Sequence, residues 1–305
     1  MGFYIGKRLL QIPFSVLLIT LVLFVLVRAK GDPVDLYVPL EAGQEVRAQL
    51  RHLWGLDQPL PVQYGRLVLS MMRGDFGTSM WHKKPALEVV LSRIPATVQL
   101  MGTALLLAIL AGIVLGTICA VKKGSLLDLC LMTCAAFGQA MPSFWLGVML
   151  ILFFAVNLHW LPASGRGGWQ HLILPTLSLM MYPLPVILLL VRSSVLEVLR
   201  EDFVLVARAK GLTEKTVLFR HVLKNALNPA VTALGIMLGT VLGGAVVTET
   251  VFAWPGLGRL TIQAVWTRDM PIIQASVVIL ALWVILCNLA ADIINLLLDP
   301  RIRTG

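Results

Sequence analysis

Cys130 and Cys134 stand four residues apart, a spacing that sets two thiols on one helical face and could serve a metal or a redox pair. All four cysteines (Cys119, Cys130, Cys134 and Cys287) lie within apolar runs, however. There a thiol behaves as a small hydrophobe, so packing is expected, with no metal site and no disulfide. The five histidines, at 52, 82, 159, 171 and 221, are scattered. His159 and His171 flank one short loop and tempt a nickel-ligand reading, but two loop residues do not fix a coordination geometry. The chain has neither a G-x-x-x-x-G-K-[ST] phosphate loop nor an H-E-x-x-H zinc helix. The nearest phosphate-like string, Gly256-Leu257-Gly258-Arg259, lacks a lysine. No catalytic residue, metal ligand or cofactor is expected on this chain.

Carboxylates in apolar surroundings are the other place to look for chemistry. A carrier driven by protons or sodium needs them, because ionisation in lipid is costly and therefore purposeful. Glu249 lies at one end of a long apolar stretch and Asp292 toward the end of another. Two marginal carboxylates make a thin relay, and Asp292 reads as a structural partner. An intramembrane enzyme would need a nucleophile and base at membrane depth, yet no histidine falls in mid-helix. The driving energy is expected to come from another protein.

The elements that carry these residues are set by hydropathy. Hydrophobic residues are 58% of the chain, charged residues 13%, and mean hydropathy is +0.85. A soluble protein is nearer a quarter charged, about twice this share, so lipid must cover much of the surface. Six stretches, near 9–27, 98–121, 129–157, 172–191, 229–251 and 275–298, are long enough as helices to cross a hydrocarbon core of about 30 Å. The first is too long for the apolar core of a signal peptide and reads as a retained helix. Pro142 interrupts the third, and Pro175, Pro183 and Pro185 the fourth, so kinks are expected there. The expectation is an all-α membrane protein with six transmembrane helices.

With the N-terminus inside, thirteen Lys and Arg fall in cytoplasmic segments and three, Arg166, Arg259 and Arg268, in the two short external loops. That bias places both termini in the cytoplasm of a multi-pass inner-membrane protein. The net charge of +9 thus reflects membrane lipid and potential, and nucleic acid is not an expected partner. The chain divides into an N-terminal helix (1–27), an external subdomain (28–97) and a five-helix core (98–305) that includes a cytoplasmic segment, 192–228. Trp54, Leu56, Leu60, Tyr64, Leu67, Leu69, Met71, Met72, Phe76 and Trp81 are too many apolar groups for a solvated linker, so 28–97 is expected to be compact. The Phe252–Arg259 turn is expected beside it, with Arg47, Arg51, Asp57 and Arg66 as rim contacts for a partner.

In the 192–228 segment, Ala207-Arg208-Ala209-Lys210 continues a helix that Gly211 stops, and Thr213 can cap a new one beginning at Glu214. Val217, Leu218 and His221 then share a side, flanked by Lys215 and Phe219. Such a helix either offers an apolar knob to a partner or rests on headgroups, and the residues alone leave both open. Within the bundle, a water-filled path would be lined by small polar and flexible groups. Gln139, Met141, Ser143, Ser178, Tyr182, Thr240 and Thr248 are the candidates by helix position.

That segment resembles the coupling loop of ABC importer permeases, whose general pattern is Glu-Ala-Ala, three residues, then Gly. Here the first positions read Leu205-Val206-Ala207, without the glutamate, and Pro229 comes late. Both departures look like the peptide and nickel branch, as does His221-Val222-Leu223-Lys224-Asn225-Ala226-Leu227-Asn228-Pro229. Further strings agree in order: Gly31-Asp32-Pro33, Gly55-Leu56-Asp57-Gln58-Pro59, Gly74-Asp75-Phe76-Gly77, Met141-Pro142-Ser143-Phe144-Trp145, Leu161-Pro162-Ala163-Ser164-Gly165, Thr248-Glu249-Thr250 and Asp299-Pro300-Arg301. The chain is similar to the B-type permeases of dipeptide, oligopeptide and nickel importers. The resemblance implies a type I ABC importer permease architecture and a heterodimer with a second permease. It also implies two cytoplasmic ATPases carrying ATP and magnesium, and an external substrate-binding protein. Small peptides are the expected substrate, with nickel, a metal chelate or glutathione as the alternative.

Overall fold

In the computed structural model, residues 2–29, 34, 43–53 and 55–298 are described. Trp54, Gly31-Asp32-Pro33 and Asp299-Pro300-Arg301 of the sequence reading lie outside them. Among the described residues every regular element is a helix, and the sole ladder contact is an isolated bridge between Thr78 and Pro85. Two compact units result, one of residues 1–94 with 260–285, the other of 95–259 with 286–305.

The first unit holds α1 (Gly2–Ala29), α2 (Gln44–Leu53), α3 (Leu60–Met72) and the start of α4 (Ala86–Val121). Pro59 and Pro61 suit the first turn of α3, where a missing N–H leaves nothing unpaired. Tyr64 then leans on α1: its ring lies 5.6 Å from that of Phe24, and its hydroxyl donates to the Leu17 carbonyl at 2.7 Å. Gln63 is buried and ties the approach to α3, donating to the Leu56 and Gln58 carbonyls and accepting from Arg28. Among the described residues, the apolar groups named for 28–97 do not form a buried core of their own. Leu60, Leu69, Met72 and Trp81 are exposed, because α3 packs along α1 through Tyr64 and around a polar hub.

The second unit contains the rest of α4, then α5 (Leu126–Ala140), α6 (Ser143–Leu150), α7 (Gln170–Met180), α8 (Pro183–Val198) and α12 (Asn228–Val251). Helix α6 runs on as a π-helical turn over Ile151–Asn157. Helix α12 packs on α6, α7 and α8, and α5 packs on α8. Leu174, Leu179, Ile187, Leu188, Val191 and Val195 are fully or almost fully buried between them. Gly112 and Gly116 of α4, a Gly-x-x-x-Gly pair, let α4 meet α8 closely. A Cβ on Gly116 would stand 2.7 Å from the Leu188 carbonyl oxygen.

Among the described residues two helices, Ala86–Val121 and Met270–Ile293 within α14 (Met270–Leu298, which follows α13, Leu257–Thr267), are long and apolar enough to cross a membrane unaided. Two further spans come as bent pairs, and α1 and α12 are helices of 28 and 24 residues. At Pro142 the bend is 106°, far beyond the kink expected there, so α5 and α6 share no axis. The α7–α8 break at Met181 and Tyr182 bends by 56°. Each half of these pairs has 15 or 16 residues at most, about 24 Å of helix, too short to cross alone.

Candidate functional site

The segment after α8 is built around a single left-handed residue. Helix α9 (Asp202–Ala209) ends at Lys210, and Gly211 has φ +79°. No atom comes within 4 Å of where its Cβ would be, so only backbone strain reserves the position for glycine. Thr213 accepts a hydrogen bond from the Thr216 N–H and starts α10 (Glu214–Thr216), which continues as a π-helical turn over Val217–Val222 and then α11 (Leu223–Ala226). Arg208 closes the turn with a two-pronged pair to Glu214, Nε to Oε1 at 2.8 Å and Nη2 to Oε2 at 3.1 Å. That hydrogen bond, before any Coulomb attraction, raises the Arg208 pKa above its ordinary value.

Two faces of this segment differ. Val204, Val217 and Val222 have no exposed surface, and Ala207 is buried, so they anchor the segment inward. Val217 is therefore not the outward knob expected of it. Phe219 is 67% exposed, and Leu205, Val206 and Leu212 of the same segment are exposed as well. Two residues apart, Val217 and Phe219 fall on opposite sides of a helical turn. Leu218 and His221 are half-buried, while Ala209, Lys210, Glu214 and Lys215 are exposed.

The seven pathway candidates divide. Gln139, Met141 and Tyr182 are exposed beside the two helix breaks, and these breaks adjoin: a Cβ on Gly138 would touch the Met181 sulfur at 3.5 Å. Thr240 is exposed and Ser143 half-buried. Ser178 and Thr248 are buried, with their hydroxyls donating to the Ser143 and Gly244 carbonyls. In this conformation both act as packing groups.

Glu249 is fully buried, and its carboxylate is a staple. Thr97 donates to Oε1 at 2.6 Å and the Arg259 N–H to Oε2 at 3.0 Å. Thr97 also accepts from the Leu257 N–H at 2.8 Å. Trp254 donates its indole N–H to the Ala96 carbonyl at 2.8 Å, and a Cβ on Gly256 would collide with the Glu249 carboxylate. Arg166 caps the turn, donating to Gln99 and lying 5.7 Å over the Trp254 ring. Both carboxylate oxygens of Glu249 are thus engaged within this turn.

A second buried pair was not visible in the sequence. Arg192 of α8 grips Asp128 of α5 with two bonds of 2.9 Å, while the Gly124 N–H donates to the same carboxylate at 3.0 Å. Separated by 64 positions, the two residues carry no local signal of pairing. Cys130 and Cys134 are exposed on α5, so they do not pack inside this chain's own bundle as expected. His171 lies against Gly167, and among the described residues no three His, Cys, Asp or Glu side chains gather as a metal site.

Comparison with known proteins places this geometry. Residues 112–304 match the family described as the binding-protein-dependent transport system inner membrane component. The glutathione transport system permease protein GsiC of Salmonella paratyphi A is 42% identical over 301 residues, 98% of each chain. The protein of the same name from Escherichia coli K12 is 40% identical over the same span and coverage. Among solved structures, the inward-facing MetNI methionine ABC transporter superposes with a TM-score of 0.58 at 21% identity, covering 69% of this chain and 96% of that one. An amino acid ABC transporter gives 0.52 at 16% identity, covering 70% and 94%.

Proposed function

Because this chain belongs to the binding-protein-dependent transport system inner membrane component family, we propose that its Ala207–His221 segment docks on an ATPase and that its bundle passes small peptides of the glutathione class. The chain is the permease subunit of an ABC importer. ATP and magnesium would act on two separate ATPase subunits, a second permease would complete the pathway, and an external binding protein would deliver substrate. The termini would lie in the cytoplasm, as the basic residues favour.

The observation that carries the docking assignment is the two-sided segment around Gly211. Its inner face is pinned by Val204, Val217 and Val222, while Phe219, Lys210, Lys215 and Arg220 are exposed on the segment. A rigid segment of this kind transmits motion, so closure of the ATPases would rock the helices between two packings. The substrate assignment draws on near-full-length likeness to permeases named for glutathione, itself a tripeptide. A nickel substrate has no comparable support. The subdomain within 28–97 and the Phe252–Arg259 turn are assigned to the delivery face.

Uptake of labelled glutathione, a dipeptide and Ni²⁺ by the reconstituted importer, side by side, tests the substrate. Saturable glutathione uptake with no Ni²⁺ accumulation is expected; Ni²⁺ uptake alone contradicts the assignment.

A further inference from the structure

Within the unit of residues 1–94 and 260–285 lies an open groove of about 350 Å³ that the transport reading leaves unused. Trp81 and Trp266 line it, with 68% and 78% of their surfaces exposed. The same groove is lined by Asp269, which is only 2% exposed. Its carboxylate accepts a hydrogen bond from Ser79 and a long one, 3.5 Å, from the Ile272 N–H. Ser79 is itself 3.1 Å from the His82 Nδ1. Among the described residues no cation pairs with Asp269, and nearby Lys84 is engaged by Glu88 at 3.5 Å.

Asp269 directly precedes α14, so the Ile272 N–H and the positive end of that helix offset its burial and keep the carboxylate charged, and the molecule holds it in place. The Ser79 N–H donates to the Lys84 carbonyl at 2.9 Å, the Asp269 N–H to the Ala264 carbonyl at 2.9 Å, and Arg268 takes φ +55° to make that turn. A fixed carboxylate beside two indole faces is a receptor for an ammonium or guanidinium group, which gains from charge and from the ring quadrupoles together. A free small molecule would leave most of both indoles in water, whereas a docking protein would desolvate them and strengthen the ion pair.

We propose that this groove receives a lysine or arginine side chain of the external substrate-binding protein, which seats between Trp81 and Trp266 and pairs with Asp269. The proposal rests on the importer reading and on the outward orientation assigned above. Its partner chemistry and its residues are separate from the Arg47, Arg51, Asp57 and Arg66 rim.

The test uses the complete importer in lipid nanodiscs, titrated with the substrate-loaded binding protein that supports its uptake. Asp269→Asn and Trp266→Ala are each expected to weaken docking about tenfold or more, while basal ATP hydrolysis stays unchanged. Asp269→Asn should also flatten the salt dependence of docking. Trp266→Phe, which keeps an aromatic face, should retain most of the affinity. Wild-type affinity in both Asp269→Asn and Trp266→Ala overturns the proposal and leaves the importer reading standing. Loss of basal hydrolysis in Trp266→Ala overturns it too, since an exposed side chain would then be serving assembly. Failure of the wild-type complex to bind any exported protein removes both readings together.

Discussion

Gly211 is the residue that most directly tests the proposed coupling role, because its only requirement is conformational. An L-residue at φ +79° costs on the order of 1–2 kcal/mol, more if β-branched, and no neighbour clashes with the added Cβ. Gly211→Ala should reduce uptake modestly and Gly211→Val by about tenfold or more, with ATP hydrolysis persisting in both. Full uptake by a folded Gly211→Val protein contradicts the assignment. Thr97 offers a second residue-level test. It donates to Glu249 and accepts from the Leu257 N–H, so Thr97→Val strands two buried groups and should cost roughly 1–3 kcal/mol of stability. A lowered Tm of the purified protein is the expected result, and an unchanged Tm refutes the staple. Gly211 and the Thr213 cap were legible from neighbouring residue types alone. The Glu249 staple was not, because its partners are 152 positions away at Thr97 and in the backbone of a turn.

Helices were easier to read than their joints. Hydropathy locates all six apolar stretches on helices, since lipid leaves the backbone no other way to satisfy its polar groups. Pro142 and the Pro183–Pro185 pair marked the breaks but not their size: a proline removes a backbone hydrogen bond and crowds the preceding turn, and neighbours decide whether 106° or 56° results. The Gly112–Gly116 spacing was present to be read as a packing face. Gly116→Leu should force α4 from α8, since even a Cβ would stand 2.7 Å from the Leu188 carbonyl oxygen. A sharp loss of monodisperse folded protein is expected on size exclusion, where Gly102→Leu, at a site with nothing within 4 Å, should behave as wild type. The breaks also divide the pathway candidates. Cysteines at Gln139, Met141, Tyr182 and Thr240 should react with impermeant thiol reagents in at least one nucleotide state, and those at Ser178 and Thr248 should stay protected in the conformation described here. Uniform reactivity across all six would contradict that division.

At the scale of the whole molecule, charge and chemistry point the same way. Among the described residues, Glu249 staples a turn and Asp128 pairs with Arg192. Removing either partner of the latter pair should lower Tm, and Asp128→Asn with Arg192→Gln together should do no more harm than the worse single change. The scarcity of carboxylates in the apolar stretches pointed to energy from another protein, and the motif resemblance pointed to an importer. Substrate was not legible, because a pathway of weak polar groups carries little chemical signature. The most direct test of the central claim is glutathione uptake into proteoliposomes holding this chain with its partner permease, ATPases and binding protein. Uptake should require ATP, the ATPases and the binding protein together, and should stop when the ATPases' phosphate-loop lysine is replaced. Uptake by this chain alone, driven by a proton or sodium gradient without ATP, would contradict the account.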